Sequence, residues 1–274
     1  MGRCMNRKEI SKLIEARILG EIEGLTKAFH QSKRGIPFFY IDELLPADLA
    51  SLVYKAFPDP KSMTLNKTLR EYKYIAAQMD KYDELLEEIV FSFQEDCVLN
   101  AIAKVVGKNN LLPDENLYAG GISLMGKGHF LNPHLDNSHD ISRESWRVFN
   151  LLYYVSPGWG GDDGGDLELW PEGVEGKPIK ITSKFNRLIV MATDCNSWHS
   201  VSPVKVDRTR NCISNYYFSN TANNSEDLFH VTTFRARPGN ILQDTILRLD
   251  GRIRAGIRKV FPAGIKKTSH QYKK

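Results

Sequence analysis

Between Leu117 and Phe218 the chain divides into short apolar runs, each of strand length and each bounded by turn-forming residues. The runs are Leu117–Met125, Val148–Val155, Asp166–Trp170, Arg187–Ala192 and Asn211–Phe218, with a glycine-rich turn at Gly160–Gly165 and a second turn at Pro171–Gly173. Such a succession reads as a series of strands over about one hundred residues.

Within that stretch lies Asn132-Pro133-His134-Leu135-Asp136. Alternate side chains of a strand share a face, so His134 and Asp136 project the same way and can hold one metal ion between them. A third ligand from a distant strand, for which His199 in Asn196–Val201 is the candidate, completes a triad of two imidazoles and one carboxylate. That donor set leaves coordination positions open for a bidentate co-substrate and dioxygen. His129 and His139, five residues either side of His134, rank below it as ligands and fit better as groups around the site.

The order of H-x-D strand, hydrophobic strand, glycine turn, strand, second His and Arg-led strand resembles the Fe(II)- and 2-oxoglutarate-dependent dioxygenases, and within them the prolyl 4-hydroxylase-like branch. The resemblance covers residues 118–219, with a weaker echo in Phe38–Leu45. It implies an α+β, mainly β fold, a double-stranded β-helix (jelly roll) of about eight strands with N-terminal supporting helices and a basic C-terminal helical extension. The corresponding segments are 1–116, 117–220 and 221–274. It also implies that His134, Asp136 and His199 ligate iron and that Arg210 binds the far carboxylate of 2-oxoglutarate.

Arg208 shares the strand parity of Arg210, but the pattern of Arg, a small residue four later and an aromatic pair fits Arg210, Ser214 and Tyr216-Tyr217. Period two puts Arg210 and Ser214 on one face. Arginine's planar fork suits a carboxylate. By the same resemblance Leu152, Tyr154, Leu167 and Val201 line the 2-oxoglutarate pocket, with the Tyr154 hydroxyl on that carboxylate. Two features separate this chain from relatives. Leu124 stands where many animal prolyl hydroxylases carry a tyrosine, and Asp136 stands where halogenating members have a small residue, which favours hydroxylation or a related oxidation.

The cofactors so implied are Fe(II), 2-oxoglutarate and dioxygen, with ascorbate as an accessory reductant. Peptidyl proline, a small metabolite and a glycan or lipid-linked sugar are all compatible substrates, since fold and co-substrate site do not set specificity. Two other classes compete. A non-catalytic jelly-roll binding protein is disfavoured because His134, Asp136, His199 and Arg210 occur together, and a zinc hydrolase would have no use for Arg210 and lacks H-E-x-x-H.

With 274 residues there is ample material for a core, and no run of eighteen apolar residues exists. Cys4, Cys97, Cys195 and Cys212 show neither C-x-x-C nor zinc spacing, which predicts free thiols in a reducing compartment; with no signal-peptide core after Met1, the expectation is a cytoplasmic protein. The acidic cluster Asp162, Asp163 and Asp166 lacks the order of a calcium loop and reads as a solvated hairpin.

Elsewhere helical spacing predicts one helix over Lys8–Gln31, another from Pro46 to Phe57, and a long one from Lys81 to Val106 stopped by Gly107. Residues 58–79 lack a period and read as a surface loop or edge strand, with Arg70 and Tyr72 as weaker candidates for substrate contact. Asn240–Phe261 is a basic amphipathic helix. Residues 231–274 hold eleven Lys and Arg against two Asp, a net +9 in a chain of net +4. The first expectation is that its apolar side packs on the body. The second is contact with an anionic or membrane surface through residues 240–274, which would make the protein peripheral to a membrane; nucleic acid ranks last.

Overall fold

A computed structural model describes residues 5–32, 35–118, 120–260 and 272–273. The N-terminal part comprises α1 (Arg7–Gly20), α2 (Ile22–Gln31), β1 (Phe38–Ile41), α3 (Ala47–Lys55), β2 (Thr64–Lys67), β3 (Glu71–Ala76), α4 (Glu84–Ser92) and α5 (Asp96–Val106). The core strands are β4 (Gly121–Met125), β5 (Phe130–Leu135), β6 (Trp146–Tyr154), β7 (Leu167–Leu169), β8 (Ile179–Ile181), β9 (Arg187–Ala192), β10 (His199–Val201) and β11 (Arg210–Ser219). A short β12 (Thr233–Phe234) and α6 (Ile241–Val260) follow.

All pairings are antiparallel, in the order β1-β9-β6-β11-β4-β3-β5-β10-β7-β8, with β2 on β3 and β12 on β5. This is the curled jelly-roll sheet that the resemblance implied. β3 makes the corner: Tyr74–Ala76 pair with β4, whereas Glu71 and Tyr72 pair with β5. Within the stretch expected to be a loop or edge strand, β2 is an edge strand paired only with β3 among the described residues, whereas β3 is interior to the sheet. Its polar residues Glu71 and Lys73 line an internal cavity, which is why no apolar period announced it.

Strand alternation sorts the two faces. Phe149, Leu151 and Tyr153 of β6, Leu188 and Val190 of β9, and Ile213 and Tyr217 of β11 belong to the main core shared with the helices. Tyr154, Ile189, Met191 and Cys212 face the interior of the roll. Leu124 points into the main core, while its neighbours Ser123 and Met125 face the cavity.

Two predicted helices are each split. α1 starts in a capping box, in which Asn6 accepts from the Glu9 N–H at 3.0 Å and Glu9 from the Asn6 N–H at 2.9 Å, and it buries Ile10, Ile14 and Ile18. Each such side chain stabilises the fold by about 1.5–3 kcal/mol. The helix ends at Glu21, where Arg17 bonds the carbonyls of Asp42 and Glu43 at 3.0 and 3.1 Å as well as the Glu21 carboxylate. Between α4 and α5, the Tyr217 hydroxyl donates to the Phe93 carbonyl, the Asp114 N–H donates to Gln94 Oε1 at 2.7 Å, and the Gln94 amide donates to Asn215. Tertiary hydrogen bonds hold this turn where the residues alone would continue a helix. Gly107 stops α5 at φ +69°, as expected.

α6 corrects a further expectation. Its apolar stripe faces outward, and the body is gripped through Leu247 and polar side chains. No helix among the described residues is long and apolar enough to cross a membrane.

Candidate active site

His134 and His199 are direct cross-strand partners on β5 and β10, and Asp136 follows β5 by one residue. The imidazole centroids lie 4.1 Å apart, His134 Nε2 is 3.5 Å from Asp136 Oδ1, and His199 Nε2 is 3.6 Å from Asp136 Oδ2. All three donors lie within 4.8 Å of one another. Each ring is oriented by a carbonyl two residues before it: His134 Nδ1 is 3.1 Å from the Asn132 oxygen and His199 Nδ1 2.9 Å from the Ser197 oxygen. The tautomer donating from Nδ1 leaves each Nε2 lone pair directed at the shared point, as metal-binding imidazoles require.

The electrostatics agree with a cation site. Burial and the neighbouring His134 push His199 down to about 4, so it is a neutral imidazole. Burial alone would raise Asp136, but Arg147 and the two histidines hold it well below the usual carboxylate range. Two residues not singled out from the sequence support that carboxylate. Asn150 Nδ2 donates to Asp136 Oδ2 at 2.7 Å, and Arg147 Nη1 lies 3.4 Å from the same oxygen. Arg147 also stacks over Tyr216 at 4.2 Å, and its Nε and Nη2 are buried with no hydrogen-bond partner among the described residues.

Period two from Leu152 would have found Asn150, because both face the same cavity. Arg147 could not be found that way. Register with β11 shifts between Phe149–Tyr217 and Arg147–Phe218, so Val148 is an extra residue, and this bulge turns Arg147 to the cavity side.

The cavity between the sheets measures about 440 Å³ and is lined by the three donors together with Leu152, Leu167, Val201, Arg210 and Ser214. Arg210 is buried at its wall. Its Nε donates to Ser183 Oγ at 2.9 Å, Nη1 lies 3.6 Å from Met125 Sδ, and the guanidinium sits 4.6 Å over the Tyr154 ring. Nη2 has no acceptor among the described residues, which leaves a buried cation with donors for a ligand anion. Tyr154 lies beneath Arg210 rather than on the cavity surface, and its buried hydroxyl has no partner among the described residues. Arg208 is at the surface, paired with Asp163 at 2.7 Å.

Gly164 and Gly165 let the chain run past this wall. Both have positive φ, +70° and +69°, and a Cβ would lie 2.2 Å from the Pro203 oxygen and 2.7 Å from Arg210 Cδ, respectively. Elsewhere, His129 stacks on Tyr72 at 3.7 Å, His139 packs on Trp146 at 4.1 Å, and Arg70 pairs with Asp250 of α6. None of these joins the donor cluster. Phe234, unmarked in the sequence, stacks on His134 at 5.2 Å and lines the cavity.

Residues 120–218 match the profile of the 2OG-Fe(II) oxygenase superfamily. This segment belongs to that superfamily. Among solved structures, a prolyl 4-hydroxylase of Pseudomonas putida is similar at 18% identity and TM-score 0.53, over 70% of this chain and 97% of its own. One from Phytophthora capsici gives 18% identity and 0.54, over 91% and 77%. A prolyl hydroxylase from Trichoplax adhaerens, in complex with a hypoxia-inducible-factor peptide fragment, gives 21% and 0.50, over 73% and 91%. No curated protein matches. The metal and co-substrate of the superfamily that residues 120–218 match are Fe(II) and 2-oxoglutarate. The residues present fit both: two imidazoles with Nε2 turned to one ionised carboxylate for the metal, and a buried arginine with unused donors for a dicarboxylate.

Proposed function

We propose that the protein hydroxylates a polar substrate, with Fe(II) held by His134, Asp136 and His199 and the far carboxylate of 2-oxoglutarate held by Arg210 and Ser214. The observation that carries this reading is that the donor triad and a buried Arg210 with free N–H groups share one cavity. When bound, the iron and co-substrate supply the oxidising chemistry: 2-oxoglutarate and dioxygen become succinate and carbon dioxide, and one oxygen atom enters a substrate C–H bond.

The chain's own residues orient and exclude. Asn150 and Arg147 fix the Asp136 carboxylate, Asn132 and Ser197 carbonyls fix the imidazoles, and Leu152, Leu167 and Val201 give the co-substrate chain an apolar bed. Asn66, Glu71, Lys73, Asn137 and Thr232 also line the cavity and support a substrate with hydrogen-bonding groups. Glu71 is ionised despite burial, because Lys73 at 3.0 Å lowers it, so this wall offers both signs of charge. A peptidyl proline, as in the structural neighbours, and a sugar both meet that description. The core of this reading is residues 117–220, with 1–116 as integral support and 221–274 as an extension. Free thiols at Cys97, Cys195 and Cys212 support a reducing, intracellular setting in which Fe(II) persists.

The test is succinate formation from 2-oxoglutarate by protein loaded anaerobically with Fe(II) and then given air. Turnover lost in His134→Ala, and in Arg210→Ala restored only by high 2-oxoglutarate, is the expected result. Absence of both turnover and a 2-oxoglutarate-dependent change in the Fe(II) spectrum would overturn the proposal.

A further inference from the structure

α6 carries an apolar stripe that the described residues of the body do not cover. At 100° per residue, Leu242, Ile246, Leu249, Ile253, Ile257 and Val260 fall within an arc of roughly 80°, running about 27 Å along the axis. Leu242 is 78% exposed, Leu249 58%, Ile253 55% and Val260 71%. The helix is fastened by a different face. Leu247 packs with Phe234 and Ala236, Gln243 donates to the Leu69 carbonyl at 2.9 Å, Asp244 accepts from Arg235 at 2.6 Å, and Asp250 pairs with Arg70. Gly251 lies against Thr233 on the same side; a Cβ there would be 3.3 Å from Thr233 Cγ2.

Arg248 and Arg252 are exposed and follow one edge of the stripe, within the segment of net +9. An aliphatic stripe bordered by guanidinium groups matches the boundary of an anionic bilayer, where the aliphatic side chains enter the acyl region and the arginines stay at phosphate level. Other occupants fit less well. Antiparallel pairing with a second copy would set the arginine edge against itself, and parallel pairing needs the other edge, which the body covers. A nucleic acid would leave the stripe in water.

We propose that α6 is a docking element for anionic lipid surfaces, lying in the membrane plane on its Leu242–Val260 stripe. This goes beyond the oxygenase reading and does not depend on it. Because α6 is tied to the Leu69-Arg70 turn and to Phe234, docking would hold the rim of the cavity at the bilayer.

The experiment is cosedimentation of the full chain with vesicles of phosphatidylcholine, alone or with about 30 mol% phosphatidylserine, a content that gives a negative surface potential. Wild type should bind the anionic vesicles at least about tenfold better, and more weakly as salt rises. Leu249→Asp with Ile253→Asp should lower binding about tenfold, and Arg252→Glu about fivefold on anionic vesicles only. As a check that does not rest on the double variant's folding, Leu249→Trp should add an indole emission that shifts to shorter wavelength with anionic vesicles. Four outcomes overturn the proposal: no vesicle binding by wild type, unchanged binding by Leu249→Asp with Ile253→Asp, an unshifted indole, or a concentration-dependent dimer without lipid binding.

Discussion

In the cavity between the sheets, Arg147, Asn150 and Arg210 are polar and buried; along α6, Leu249, Ile253 and Val260 are apolar and exposed. Both regions invert the usual sorting of side chains, and the inversions differ in kind. The cavity groups are held by specific partners and keep some hydrogen-bonding capacity unused, as with Arg147 Nε and Nη2. The α6 side chains have no packing partner among the described residues, only a common direction. A buried polar group with spare donors calls for a ligand of defined shape. An exposed apolar stripe calls for a medium. One chain thus presents a stereochemical site and a merely amphipathic one, joined at Phe234.

Substitutions separate the two regimes. The largest effect is expected at the donor triad, where Asp136→Ala should abolish Fe(II)-dependent succinate formation and leave a folded protein by circular dichroism. A variant that keeps turnover would remove the cavity from this contrast. Next is Arg210→Met, which should weaken 2-oxoglutarate by about 10- to 100-fold, the loss of a charge-assisted hydrogen bond. The KM for 2-oxoglutarate, with Arg210→Lys as a partial rescue, checks it. Asn150→Ala should lower metal affinity by about tenfold to a hundredfold, as removal of a supporting hydrogen bond does elsewhere; Co(II) titration reads this directly, and unchanged affinity would mean that Arg147 alone holds Asp136.

On α6 the contrast predicts that the two faces respond oppositely in urea unfolding. Leu247→Ala should cost about 2–4 kcal/mol, whereas Leu249→Asp with Ile253→Asp should move stability by no more than about 0.5 kcal/mol per site. Equal losses would show that the stripe is packed in solution.

A further small effect belongs to a pair in neither region. Arg187 holds the Asp42 carboxylate at 2.6 Å and below its usual pKa of 3.8, with burial opposing and Lys184 assisting. A depressed folded-state pKa stabilises above the unfolded value and fades as pH falls through the folded one. Asp42→Asn should therefore cost up to about 1 kcal/mol at neutral pH and progressively less below pH 3.8, measured by thermal unfolding across that window.

What could be read from residues alone follows from how local each determinant is. His134, Asp136 and His199 were legible because strand parity and chain order are local, and the strands β6, β9 and β11 because they are rich in aromatic and aliphatic residues. The separation of Arg208 from Arg210 needed the strand's first residue, since parity holds only inside a ladder. Arg147 was hidden by a bulge, β3 by the polar cavity it faces, and the breaks at Glu21 and Phe93–Glu95 by hydrogen bonds from distant residues. The direction of α6 was illegible for another reason: amphipathicity gives a helix two faces and does not say which one the body takes.

β3 joins the two sheets by backbone ladders at both of its ends. Glu71 and Lys73 on the cavity wall are thereby carried by a strand laced to its neighbours on both sides, so their backbone cannot shift without unzipping main-chain hydrogen bonds, and the charges they present there are fixed by the sheet and not by a loop.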